Sequence, residues 1–149
     1  MPCTPTAIAI CRRVALGFVF VWFFAGGIMH FAFTGTEAAI IPPWLPHHRL
    51  LVLISGVFEL LGAAGSLLPR LRSAAGWGLV LLTAAVTPAN IYMWQQAAQY
   101  PHIPYWALTL RLPFQAVLVL CIWWATRPTT PPTAPPAKTP ARPDAQSAQ

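Results

Sequence analysis

Four apolar runs, each long enough to cross a bilayer, set the pattern of this chain, and short polar segments separate them. The first lies between Arg13 and Glu37, where the 23 residues from Val14 to Thr36 include no Asp, Glu, Lys or Arg. A membrane-spanning helix needs roughly 20 mainly apolar residues, so Val14–Phe33 is predicted as the first span. Arg12 and Arg13 mimic the charged start of a signal peptide. The apolar run is too long for one, however, and further spans follow, so it is expected to be retained. The second span is expected over Leu50–Leu68, closed by Pro69, and the third from Ser73 to about Trp94, ahead of the polar Gln95-Gln96 pair. The fourth needs an argument, because Leu112 to Trp124 is only 13 residues. Extending back to Tyr105 gives a run of about 30 Å at 1.5 Å per residue. Tyr105-Trp106 and Trp123-Trp124 then lie at the two interfaces, where amphipathic rings settle. This register draws Arg111 inside, roughly 9 Å below the surface.

The predicted fold class is therefore all-α: a polytopic membrane protein with four transmembrane helices in an antiparallel bundle. That domain covers residues 1–127, with spans at about 14–33, 50–68, 73–94 and 105–124. Residues 128–149 change character, with seven Pro among Thr, Ala and Gln and no large apolar side chain. Such a segment cannot bury enough surface to fold and is expected to be a disordered tail with polyproline II character.

Composition fits this picture. The chain is 56% hydrophobic and 8% charged, against about a quarter charged in a soluble domain. Whole-chain disorder is excluded by the hydrophobicity. A disulfide scaffold is excluded by a cysteine count of three, and no Cys-x-x-Cys pair offers a dithiol or zinc centre. The net charge of +6 does not make a nucleic-acid binder, because the basic residues are scattered around the apolar runs and build no stripe. They sort by loop instead. Arg12, Arg13, Arg70, Arg72, Arg127, Lys138 and Arg142 fall on one side, and of the basic residues clearly outside a span only Arg49 falls on the other. The positive-inside rule then puts both termini in the cytoplasm and loops 34–49 and 95–104 outside.

Polar side chains inside a span are costly and ask for an explanation. Glu59 lies near the midplane of the second span, where an ionised carboxylate costs about 2.5–3.5 kcal/mol on insertion scales. Arg111 and, one turn on, Gln115 share a face of the fourth span. Thr83, Thr87, Asn90 and Trp94 follow the 4-3-4 spacing of a helix–helix seam, as do Ser55, Glu59, Gly62 and Ser66. The first span contributes Gly26, Gly27 and His30. Helical side chains lean toward their own N-terminus, so His30, Glu59, Asn90 and Arg111 converge on the outer half of the bundle. Pro88 and Pro113 each remove an intrahelical hydrogen bond.

Two readings of Glu59 stand side by side: an ion pair with Arg111 that only fixes packing, or a ligand-binding or proton-carrying group. His30 is read first as a headgroup-region hydrogen bonder. Asn90 and Gln115 are read as interhelical hydrogen bonders, and His47-His48 as solvated.

Several stretches together resemble a known family. His30-Phe31 ends the first span. Ile41-Pro42-Pro43-Trp44-Leu45-Pro46 precedes Ser55-Gly56-Val57-Phe58-Glu59-Leu60-Leu61-Gly62. Thr87-Pro88-Ala89-Asn90-Ile91-Tyr92-Met93 follows, then Ile103-Pro104-Tyr105-Trp106 and Arg111-Leu112-Pro113-Phe114-Gln115. From about Ala25 to Trp124 this resembles the DoxX-like family of small four-helix bacterial integral membrane proteins. The resemblance implies a bacterial plasma (inner) membrane location and a link to quinone-dependent thiosulfate oxidation or oxidative-stress assemblies. Its motif positions include His30, Glu59, Asn90, Arg111 and Gln115. The chain departs from the pattern after His30-Phe31, where Thr34 and the run to Ala39 stand in place of an early Pro.

Three functions compete. The first is an accessory or anchor subunit of a membrane redox system, with a redox partner protein and a quinone-like ligand in the outer-half pocket. The second is a small proton-coupled transporter with Glu59 as its titrating group. The third is a structural or assembly protein without ligand. An autonomous enzyme is not the expectation, since no nucleophile–base pair or metal cluster is visible.

Overall fold

The computed structural model describes residues 5–128, and their regular structure is entirely helical. The elements are α1 (Pro5–Ala32), α2 (Thr34–Ala39), α3 (His48–Leu67), α4 (Arg72–Gln95) and α5 (Tyr105–Thr126), with a 3-10 turn at Ala97–Gln99. α1, α3, α4 and α5 are each long and apolar enough to cross a membrane. The predicted disordered tail, apart from Pro128, and Cys3 lie outside the described residues.

Helices α3, α4 and α5 end within two residues of the expected spans. α1 differs, starting nine residues before Val14. A helix need not stop where the apolar run stops: Arg is a good helix former, and Pro5 takes the first helical position, where its missing N–H costs nothing. α1 breaks at Phe33 (φ −123°, ψ 32°). The Thr34 hydroxyl donates there to the carbonyls of His30 (2.7 Å) and Phe31 (3.1 Å), an alternative to continuing the helical ladder. The connection between α1 and α3 therefore contains a helix, α2, where the sequence predicts only a loop. α3 starts from His47, which holds a left-handed backbone (φ 55°) that L residues seldom adopt. It ends at Leu68, extended because Pro69 follows. α4 and α5 run through Pro88 and Pro113 without interruption.

The four long helices pack as a ring, α1 on α3, α3 on α4, α4 on α5 and α5 on α1, so α3 and α5 stand diagonally opposite. Neighbours run antiparallel: Gly62 faces Leu79, Gly76 faces Thr126, and Arg12 near the start of α1 bonds the carbonyl of Ala125 near the end of α5. The apolar core draws on all four, with Val19 and Phe23 from α1, Ala63 from α3, Leu79 from α4, and Leu118 and Ile122 from α5. The outward faces are also apolar, as at Val14, Leu61, Leu81 and Leu120, each more than 60% exposed. Such surface in water would be an aggregation liability. Between helices in lipid the apolar environment supplies no drive to associate, so close packing and polar contacts must hold them.

Candidate functional site

Two polar seams face each other across the bundle. The α1–α3 seam rests on close backbone approach. A Cβ at Gly27 would lie 3.0 Å from the carbonyl oxygen of Gly56, and a Cβ at Gly56 would lie 2.9 Å from the Cβ of His30. A Cβ at Gly26 would meet Glu59 Oε2 at 2.6 Å. Each helix thus sets a glycine opposite the other's polar side chain. The result is a contact between His30 Nε2 and Glu59 Oε1 at 3.5 Å, with the two side chains 17% and 13% exposed. Their other polar atoms, His30 Nδ1 and Glu59 Oε2, are buried without a hydrogen-bond partner among the described residues. Buried polar atoms are ordinarily satisfied, so an orphan on each side of one contact is unusual.

The α4–α5 seam is organised by Gln115. Its Nε2 donates to the Thr83 carbonyl (2.5 Å) and to Thr87 Oγ1 (2.9 Å), and its Oε1 accepts from Asn90 Nδ2 (3.2 Å). One turn away, Trp94 Nε1 donates to Thr109 Oγ1 (3.3 Å). The 4-3-4 stripe of α4 therefore meets α5 along its length. Arg111, on the same side of α5, has Nη1 3.1 Å from the buried Met93 sulfur, a weak acceptor that leaves most of the guanidinium's donors unused.

Between the seams lies a cavity of ≈ 590 Å³, lined by His30, Glu59, Asn90, Arg111 and Gln115. Aromatic and aliphatic side chains such as Trp22, Phe58, Phe114 and Leu82 make most of the remaining wall. This size and mixture, mainly apolar with a few convergent polar groups, is that of a small-molecule site. One end of the cavity is covered by α2 and the loop after it, which contribute Glu37, Ile40, Ile41 and Leu45. Two contacts hold that cover. Trp44 packs edge-on against Tyr92 at 5.5 Å between centroids, and the Tyr100 hydroxyl donates to the Ala39 carbonyl (3.3 Å). Burial in this contact pushes the Tyr100 phenol up, with Tyr92 adding to it.

The structure departs from the sequence reading in two pairings. Glu59 contacts His30, and among the described residues it makes no ion pair with Arg111. Helical rise gives depth but not direction around the axis. α3 and α5 are diagonal, and the cavity lies between their polar groups. His30, read as a headgroup-region side chain, faces Glu59 on the neighbouring helix instead. Glu37, treated only as the end of an apolar run, lines the cavity, as does Ser55. Glu37 could have been noticed as one of only three acidic residues, seven positions beyond His30. Among the described residues no group of three or more His, Cys, Asp or Glu side chains could hold a metal ion, and Cys11 and Cys121 are free thiols.

No curated protein and no solved structure matches the chain. One family model does, over residues 19–126, a stretch that begins in α1, ends with α5 and contains both seams and every residue named around the cavity. The chain belongs to the family described as "Domain of unknown function (DUF8561)".

Proposed function

We propose that this chain is a polytopic membrane protein whose cavity binds a small ring-bearing ligand of the quinone class, and that it serves as an accessory or anchor subunit of a membrane redox or oxidative-stress system. The observation that carries the reading is the convergence of two polar seams on one otherwise apolar cavity of ≈ 590 Å³. A quinone ring presents two carbonyl oxygens at opposite ends and a flat apolar body. Arg111, whose hydrogen-bond partner among the described residues is a thioether, can donate to one end. His30, in its imidazolium form with Nε2 toward Glu59, can donate through Nδ1 to the other, and Trp22, Phe58 and Phe114 suit the ring. A bound quinone supplies reversible two-electron, two-proton carrier chemistry; the protein's part is to hold and orient it.

The redox assignment and the bacterial inner-membrane location rest on the DoxX-like motifs alone, since the family match names no activity. Cytoplasmic termini are supported by Arg12, Arg70, Arg72 and Arg127, which fall near helix ends on the side away from the cavity cover. The disordered tail is inferred from its proline content. A proton-coupled transporter is the second reading, favoured by the buried, unpartnered Glu59 Oε2.

Organic extraction of the purified full chain, with mass spectrometry of the extract, tests the first reading. Wild type should carry quinone, and Arg111→Met should lose it while keeping its helical circular dichroism. Folded wild-type protein free of quinone, purified from quinone-containing membranes, would sink the reading. Substrate-dependent proton uptake into liposomes, abolished by Glu59→Gln, would promote the transporter.

A further inference from the structure

The end of the bundle away from the cavity carries its own cluster. Arg12 of α1 donates through Nε to the Ala125 carbonyl (3.0 Å) and through Nη2 to the Arg127 carbonyl. Arg72, the first residue of α4, donates through Nε to the Ser66 carbonyl (3.0 Å). Both guanidiniums therefore cover last-turn carbonyls that the helices leave unpaired. Capping accounts for their positions but does not cancel their charge, and each retains unused N–H donors. Among the described residues the Arg127 side chain caps no carbonyl; its guanidinium lies 5.1 Å from the centroid of the Trp123 ring. The charges of Arg72 and Arg127 both bear on Arg12. The carboxylates among the described residues are Glu37 and Glu59, and both line the cavity in the other half. Three cations from three chain segments are thus held together, and among the described residues no carboxylate lies at that end.

We propose that Arg12, Arg72 and Arg127 grip the phosphate of an anionic phospholipid at the end of the bundle where α1 and α4 begin and α5 finishes. Guanidiniums match phosphate oxygens through paired N–H donors. A lipid fits better than free phosphate because the surface beside the cluster is apolar and open. Val14 is 67% exposed, Leu71 52% and Trp123 46%, so acyl chains have helix faces to follow just below the headgroup. Basic pockets between helix ends are a recurrent way to bind such headgroups. The inference rests on the helices spanning a membrane and is independent of what the cavity holds.

The test is a thermal-shift titration of the full chain in neutral detergent with short-chain phosphatidylglycerol, short-chain phosphatidylcholine and inorganic phosphate. Phosphatidylglycerol should stabilise at the lowest concentration, and R127Q should weaken that response roughly fivefold, as expected for one arginine at a membrane surface. R13Q removes the same charge at the same end from a residue outside the cluster, and should change the response clearly less. Equal stabilisation by phosphatidylcholine would overturn the proposal, and equal stabilisation by inorganic phosphate would overturn the lipid assignment. An R13Q loss matching that of R127Q would replace the site by diffuse attraction. If R127Q fails to fold, the three-ligand comparison on wild type still decides between lipid and ion, and R72K replaces it against R13Q. Carbonate extraction separates the failures: release from membranes refutes the spanning reading, whereas retained protein without headgroup preference refutes only this one.

Discussion

Gln115→Leu is the sharpest probe of the α4–α5 seam. The glutamine is 9% exposed and makes three hydrogen bonds to α4, to the Thr83 carbonyl, Thr87 Oγ1 and Asn90 Nδ2. Interhelical hydrogen bonds in membrane proteins average about 0.6 kcal/mol each, because the separated helices find other partners in the unfolded reference state. Three such bonds give a loss of about 2 kcal/mol. Leucine recovers little of it, since in lipid the reference environment is already apolar. Asn90→Ala breaks one of the three bonds and should cost about a third as much. Reversible unfolding of detergent-solubilised protein in a denaturing surfactant, followed by circular dichroism, measures both. A Gln115→Leu loss no greater than that of Asn90→Ala would mean that the glutamine does not organise the seam. A stabilised Gln115→Leu variant would go further, marking the residue as a group retained for the cavity at the expense of packing.

Three other predictions follow from the same geometry. In double-mutant cycles built from His30→Ala, Glu59→Gln and Arg111→Met, the His30–Glu59 pair should show coupling of about 1 kcal/mol, whereas Glu59 and Arg111 should be additive within about 0.5 kcal/mol; the reverse ordering would contradict the observed pairing. Gly26→Ala sets a methyl 2.6 Å from Glu59 Oε2, so it should cost about 1–3 kcal/mol by overpacking; unchanged stability would show that the seam has slack. In a cysteine-free background, an impermeant thiol reagent applied from outside should modify Gln99→Cys and spare Ser147→Cys, and labelling in the opposite order would invert the topology.

The fold was legible where a single physical requirement governed the sequence. Crossing a bilayer fixes the length and apolarity of a helix, so α3, α4 and α5 are placed by the sequence to within two residues, and α5 starts at Tyr105, as the length requirement demands, although Arg111 interrupts the run. Elements that owe nothing to the bilayer were not legible. The first turns of α1 mix Thr, Ala, Ile and Cys without a period. α2 consists of six residues, Thr-Gly-Thr-Glu-Ala-Ala, too few to show a helical face, and it is held by packing on α3 rather than by propensity. The left-handed His47 gave no signal at all, because the residue types most at home there are Gly and Asn.

The site divides along the same line. Depth follows from residue number, so it was readable that His30, Glu59, Asn90, Arg111 and Gln115 share one half of the bundle, and all five line the cavity. Angular position does not follow from number, because the rotation of each helix is set by its neighbours. The glycines decided it. Gly26, Gly27 and Gly56 let α1 and α3 approach until His30 and Glu59 meet, which leaves Arg111, on the helix diagonal to α3, with a thioether as its partner among the described residues. A chain that spends three glycines bringing an acid to a histidine, yet leaves an oxygen of one and a nitrogen of the other unpaired, has not optimised that contact for stability alone. The polar seam of α4 and α5 shows what such optimisation looks like, with both ends of the Gln115 amide engaged. The contrast between a satisfied seam and an unsatisfied one, facing each other across a single cavity, leaves the under-used polar groups on the α1–α3 wall and at Arg111, where the proposed ligand would be held.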